Sequence, residues 1–220
     1  EDDVQDGHPH SHKCLEENYA SLKEGSCRKH VFENMVLQAE DIRLNPEMYQ
    51  DCLGSISTFC ADQPFGVNGS IIQCLLHHKD EDDMPTKCSA RLGKELQKRS
   101  KNIKFNPLVA QACQQVLERL QKDDSCKSSS AEGLLDEEED LEGAGIECLI
   151  ENRANLLHPE CESQVHELLE MTTMDIRAMP GMYDACATDI KHFCASVTYG
   201  NGKIQTCLQR SRAKLQPRCR

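Results

Sequence analysis

Fourteen cysteines in 220 residues fall on one recurring template, and that template constrains the fold more than any other feature of the chain. The pair Cys52 and Cys60, eight apart, is followed by Cys74 and Cys88. The same order returns as Cys186, Cys194, Cys207 and Cys219. A hexapeptide [D/N]-I-[R/K]-x-x-P keeps step with it, at Asp41–Pro46, Asn102–Pro107 and Asp175–Pro180. Each hexapeptide starts fourteen residues after a cysteine, and its proline stands six before the next. An offset kept three times on both sides marks an internal repeat.

Only 38% of the residues are hydrophobic and there is no Trp. One large core is therefore not expected; a series of small, covalently stapled units fits better. An even, high cysteine count points to an oxidising compartment, the secretory pathway or outside the cell. The C-x2-C knuckles of structural zinc sites are absent from the sequence. No apolar run of about 18 residues is present to span a bilayer. Residues Glu1–His12 lack the apolar centre of a signal peptide, so the chain reads as a mature form or an excised fragment. The net charge of −12 argues against nucleic acid or anionic lipid as a partner.

The template divides the chain into a partial repeat over 1–40 and repeats over 41–101, 102–174 and 175–220. Cys14, followed by Leu, aligns with Cys74, Cys148 and Cys207, so the chain reads as starting within a repeat. Apolar positions have helical spacing throughout, which predicts an all-α array of three-helix units. Asn45-Pro46 supplies an N-cap and a first-turn proline. Met48, Tyr49, Cys52, Leu53, Ile56, Phe59 and Cys60 then form one stripe, matched in the last repeat by Met182 through Cys194. A glycine loop (Gly66–Gly69, Gly200–Gly202) leads to a short helix carrying the Cys-Leu pair.

Helix geometry limits the disulfides. Cysteines eight apart on a helix are separated by about 12 Å, beyond the roughly 7 Å reach of a disulfide. If the first two helices form an antiparallel hairpin, the pairing is nested: Cys52–Cys88 with Cys60–Cys74, and Cys186–Cys219 with Cys194–Cys207. The third repeat departs from the template. Gln121 stands where its second cysteine belongs, Cys126 follows five residues later, and a Ser-rich, acidic insertion spans about 127–145. The insertion has little to bury and reads as disordered. The count is satisfied by Cys113–Cys161 with Cys126–Cys148. Cys14 and Cys27 would bond the two upstream cysteines of a complete unit, and by default are expected to pair with each other.

On the hexapeptides, the C-x7-C pairs and the Cys-Leu pairs, the chain resembles the cysteine-rich repeat family of Golgi apparatus protein 1, also called cysteine-rich fibroblast growth factor receptor or E-selectin ligand. The run Ala185–Cys194 is similar to that family's last luminal repeats. The resemblance implies a single-span glycoprotein of the Golgi and cell surface, with fibroblast growth factors or selectins as protein partners.

No catalytic motif appears: G-x-S-x-G, a P-loop, H-E-x-x-H and a dinucleotide fingerprint are all missing. We expect no enzyme activity, no cofactor and no resident metal. His8, His10 and His12, beside Asp2, Asp3 and Asp6, could bind Zn²⁺ or Cu²⁺ loosely but read as a solvated terminus. His77 and His78 read as an exposed face. The acidic run Asp136–Glu142 could attract a basic ligand or merely solvate a loop. Asn68-Gly69-Ser70 is a glycosylation sequon in a loop. Two functional readings remain, a non-catalytic scaffold that binds protein partners and a luminal spacer or trafficking segment without direct ligand contact.

Overall fold

The hexapeptide folds the same way three times, and the architecture follows from it. In the computed structural model, which describes residues 9–23, 25–123 and 145–220, Asp41, Asn102 and Asp175 each accept the backbone N–H two residues on. That contact caps a single 3-10 turn, at Ile42–Leu44, Ile103–Phe105 and Ile176–Ala178. The proline then opens a helix. At Asn45 the side chain also accepts from Met48 N–H at 3.1 Å, satisfying one of the unpaired donors of the first turn.

The described residues contain ten helices and no strand. In order they are α1 (Pro9–Glu17), α2 (Gly25–Glu40), α3 (Pro46–Phe59), α4 (Ser70–His77), α5 (Thr86–Arg99), α6 (Pro107–Lys122), α7 (145–151), α8 (Pro159–Thr173), α9 (Pro180–Phe193) and α10 (Lys203–Arg210). The chain is thus an all-α, disulfide-stapled array. Short helices α4 and α10 start beside the glycines of the loops, with Gly69 at φ +67° and Gly202 at φ +63°. Glycine adopts that left-handed conformation without a Cβ clash. Each of these glycines donates its N–H to the end of the helix that precedes the hexapeptide, Gly69 to Glu40 C=O of α2 at 3.0 Å and Gly202 to Met174 C=O, the cap of α8, at 2.8 Å. At Gly69 a Cβ would lie 2.5 Å from the Ala39 carbonyl oxygen, so the close approach itself requires glycine.

Five disulfides join the described cysteines: Cys52–Cys88, Cys60–Cys74, Cys113–Cys161, Cys186–Cys219 and Cys194–Cys207, with Cα separations of 4.7 to 6.1 Å. Cys148 is also disulfide-bonded; its expected partner Cys126, with most of the acidic insertion, lies outside the described residues. Helix α3 is bonded to α4 at its C-terminal cap, through Cys60, and to α5 from its middle, through Cys52, which is the nested arrangement of a helical hairpin.

Cys14 and Cys27 correct the default pairing: both are free thiols, Cys14 exposed and Cys27 half-buried. The reason lies in the template. The third and fourth cysteines of a unit bond opposite ends of a C-x7-C helix, so they are held about as far apart as that helix's two cysteines, roughly 12 Å. Residues at those positions cannot reach each other. A local detail shared with the third unit supports the alignment. Asn18 Nδ2 donates to Cys14 C=O at 2.8 Å, as Asn152 Nδ2 does to Cys148 C=O at 2.9 Å.

Each unit has its own core. Ile42, Cys52, Ile56, Ile71, Leu75, Leu92 and Leu96 build one, Ile103, Val116, Leu149, Val165 and Leu168 the next, and Ile176, Ile190, Ile204, Leu208 and Leu215 the last. Within each hexapeptide the isoleucine enters the core of its own unit. The residue two further on reaches backwards. Phe105 packs among Val31, Phe32, Met35 and Ala39 of α2, and Ala178 joins the core formed by α3, α4 and α5. The linker thereby interlocks units that are not covalently bonded to one another.

Candidate interaction surface

Coupled charged side chains lie both within the hexapeptides and at the seams between units. In the last unit Asp175 is buried, 1% exposed, and it accepts from Arg177 Nε at 2.9 Å and Nη2 at 2.6 Å. Lys79, carried in from just beyond α4 and itself 4% exposed, lies 3.5 Å from Asp175. Burial pushes the Asp175 carboxyl up, but Arg177 and Lys79 outweigh it and hold the pKa below the ordinary carboxylate value. Arg177 in turn lies over the Tyr199 ring, 4.4 Å from its centroid. Next to Tyr199 in sequence, Gly200 fits tightly against Asp80, and Asn201 N–H donates to the Asp80 carboxylate at 3.2 Å.

An open version of this clip stands in the second unit. Asp41 pairs with Arg43 at 2.6 Å, and Arg43 lies 5.2 Å from the Phe65 centroid. Here the arginine side chain is 52% exposed, against 23% for Arg177. Tyr49 meets Phe65 and Tyr183 meets Tyr199 at edge or tilted angles, so the loop aromatic is held between an arginine and a tyrosine in both units. The third unit substitutes Asn102 and Lys104, and Lys104 turns to the Phe32 ring. Sequence reasoning identified the hexapeptide but missed the aromatic partner. The available signal was Phe65-Gly66 and Tyr199-Gly200, an aromatic directly before the first loop glycine.

Two further seams are polar. Arg99, 2% exposed, donates to Ala39 C=O at 3.2 Å and Gln73 Oε1 at 3.0 Å and lies 3.4 Å from Glu95 Oε1, joining α2, α4 and α5. His77 lies on an exposed face, as expected, but is paired there. It contacts Glu167 on α8 at 2.5 Å, where Gln73 Nε2 also donates at 2.6 Å. The Glu167 hydrogen bond raises the His77 pKa, and the His77 bond lowers that of Glu167. His78 instead stacks on Phe59, centroids 4.8 Å apart.

The other expected site residues are dispersed. His8 and the run Asp136–Glu142 lie outside the described residues; His10 and His12 fall on α1. Among the described residues no cluster of three or more His, Cys, Asp or Glu is placed to hold a metal ion. Asn68 sits exposed in its loop at φ +49°, with Nδ2 donating to Gln111 Oε1 at 2.6 Å, and Ser70 Oγ donates to Pro64 C=O. No described helix is long and apolar enough to cross a membrane. The disulfides fix the compartment as oxidising, the lumen of the secretory pathway or outside the cell.

These observations define a class, an all-α array of disulfide-stapled cysteine-rich repeats. A family described as "Cysteine rich repeat" matches residues 25–83, 86–156 and 159–216, and the chain belongs to that family. The matches begin at or just before α2, α5 and α8, so the family repeat and the covalent unit are out of phase. Cys52–Cys88 and Cys113–Cys161 therefore each staple one family repeat to the next. Among curated proteins the chain is similar to Golgi apparatus protein 1 of Homo sapiens, 27% identical over 219 residues, and of Mus musculus, 26% identical over 219 residues, each alignment covering 94% of the chain. It is 24% identical over 214 residues, 88% of the chain, to the Golgi apparatus protein 1 homolog of Caenorhabditis elegans. The chain spans 18% of the length of each of these relatives. No solved structure matches it.

Proposed function

We propose that the chain is a non-catalytic luminal or extracellular module that binds protein partners, growth factors or selectins by its resemblance, in the Golgi lumen or at the cell surface. The observation that carries this reading is where the perturbed ionisable groups lie. They pair either within a hexapeptide or helix, as Asp41–Arg43, Asp175–Arg177 and Arg99–Glu95 do, or between helices, as Glu47–Arg91 and His77–Glu167 do, and among the described residues none is gathered around a reaction centre. Perturbed groups at structural seams stiffen a scaffold, whereas catalysis needs them convergent in a cleft. A stiff repeat array presents an extended, fixed surface, the usual basis of binding in such proteins. The relatives' name supports the Golgi location.

Asn68 is the glycan acceptor of this module. Its loop is exposed, and N-glycan amidase should increase gel mobility of the chain made in a eukaryotic secretory pathway. The binding reading is tested by surface plasmon resonance of the oxidised chain against fibroblast growth factors and E-selectin at low and high salt. A parallel variant has the Asp136–Glu142 carboxylates neutralised. We expect salt-sensitive binding that weakens in the variant; binding to neither ligand at either salt would leave the spacer reading standing.

A further inference from the structure

The chain is strongly acidic overall, yet its charge is unevenly placed. Residues 180–220 hold seven of its 25 cations, Lys191, Lys203, Arg210, Arg212, Lys214, Arg218 and Arg220, but two of its 37 carboxylates, Asp184 and Asp189. Asp189 is 3% exposed and turned inward, accepting Gln216 N–H at 3.0 Å. All seven cations are exposed, and among the described residues none of them makes an ion pair.

A second basic run provides an internal contrast. Residues 86–104 also carry seven cations, but most are engaged. Arg91 pairs with Asp51 and Glu47, Lys94 with Glu17, Lys98 with Glu16 and Arg99 with Glu95, while Lys104 covers the Phe32 ring. That run is consumed by holding α1, α3 and α5 together. The cations of the run at 203–220 make no ion pair among the described residues.

Its scaffold is nonetheless rigid. Ile204, Leu208 and Leu215 are buried, Cys207 is bonded to Cys194 and Cys219 to Cys186, so every anchoring residue faces inward and the cations are left outside. Arg220 is folded back by hydrogen bonds to Ala213 and Leu215 carbonyls. Lys203 and Arg210, seven apart on α10, share one face about 10.5 Å apart. Fixed, unneutralised cations attract a polyanion without the ordering cost a flexible tail would carry. The distant negative charge of the molecule is screened beyond about 8–10 Å.

From this geometry we infer that the α10–Arg220 face is a binding surface for a linear sulfated polysaccharide. Compartment selects the polyanion. Disulfides place the protein outside the cytosol, away from nucleic acid and from the anionic lipid of the cytoplasmic leaflet. Guanidinium groups, four of the seven cations here, match the planar, bidentate geometry of sulfate oxygens as they do phosphate. The inference needs no protein ligand and stands apart from the reading above.

The experiment uses the full oxidised chain on immobilised heparin. We expect binding at 50 mM salt that weakens with a log–log salt slope of about −3 to −4, by analogy with counterion release from nucleic acids. A variant with Arg210→Gln, Arg212→Gln, Lys214→Gln and Arg218→Gln should bind at least ~50-fold more weakly, with a slope shallower by about three. An equally charged control, Lys87→Gln, Lys94→Gln, Lys98→Gln and Lys101→Gln, should stay within ~3-fold of the parent. Unchanged helical circular dichroism of both variants separates lost contacts from lost folding. No binding by the parent, equal loss in the two variants, or equal binding of desulfated heparin would overturn the inference. So would binding to phosphatidylserine vesicles in place of heparin. Heparin binding that appears only when Asp136–Glu142 is neutralised would show the face taken by the chain's own acidic run, and would overturn it also.

Discussion

Helices α4 and α5 and helices α1 and α2 are the same pair of elements in two neighbouring layers, and they end up chemically different. Cys74 and Cys88 on α4 and α5 are bonded to the C-cap and the middle of α3; Cys14 and Cys27, at the matching positions of α1 and α2, are thiols. The hexapeptides repeat the contrast. Phe105 and Ala178 are buried in the layer behind them, while Leu44 at the same position is 50% exposed. Residue type is equal or similar in each pair. What differs is the neighbour, so in this array a residue's contribution is set by the adjoining unit and not by its own.

The largest expected effect comes from the bonds. Replacing Cys52 and Cys88 by Ser should cost about 2–5 kcal/mol, the usual loss for a native disulfide in a small domain. Cys27→Ser should change the melting temperature by no more than about 1–2 °C, a surface-like effect. A large loss from Cys27→Ser would mean that the first layer is not the open one. Native-state labelling with maleimide should modify Cys14 faster than Cys27 and leave the other described cysteines untouched.

Next is the interlock. Phe105→Ala should cost about 3 kcal/mol or more, because it empties a site lined by Val31, Phe32 and Met35. Leu44→Ala should lie within about 0.5 kcal/mol of neutral, as for other exposed positions. Chemical denaturation of the two single variants measures the difference directly, and equal losses would break the comparison.

The smallest effect is the pH response of the α4–α8 seam. The His77 pKa is raised above 6.5 by Glu167, so its contribution is complete below 6.5 and is lost as pH rises through the raised value. The Glu167 pKa is lowered from 4.5, chiefly by His77, so its contribution is present above 4.5 and fades as pH falls through the lowered value. The seam is therefore strongest between about pH 4.5 and 6.5 and loosens toward the alkaline side. Both groups are partly solvated, which keeps the effect small. Amide hydrogen exchange in α4 and α8 should quicken on going from pH 6 to 8 after correction for intrinsic rates, and His77→Gln should flatten that trend.

Several features were legible because they depend on residues close in sequence. Cap, 3-10 turn and first-turn proline are written into Asp41–Pro46, and helical spacing from Met48 to Cys60 put both cysteines of α3 on one stripe. Helix geometry then excluded a Cys52–Cys60 bond. The seams were not legible. His77 is polar in a helix and gives no local sign that Glu167 will reach it, and Lys79 among acidic neighbours reads as solvent-facing although Asp175 buries it. The free basic face was hidden by a net charge that averages over the whole chain.

By itself the sequence determined the repeat, the helices and which cysteines within a unit can meet, since these follow from helix geometry and from offsets that recur with each copy of the template. Only the tertiary structure decided which hexapeptide arginine is buried and which is open, which thiols stay free, and which of two equal basic runs is neutralised. Each of those outcomes depends on charges and surfaces brought together from different units, and electrostatic and packing energies are functions of distance in space.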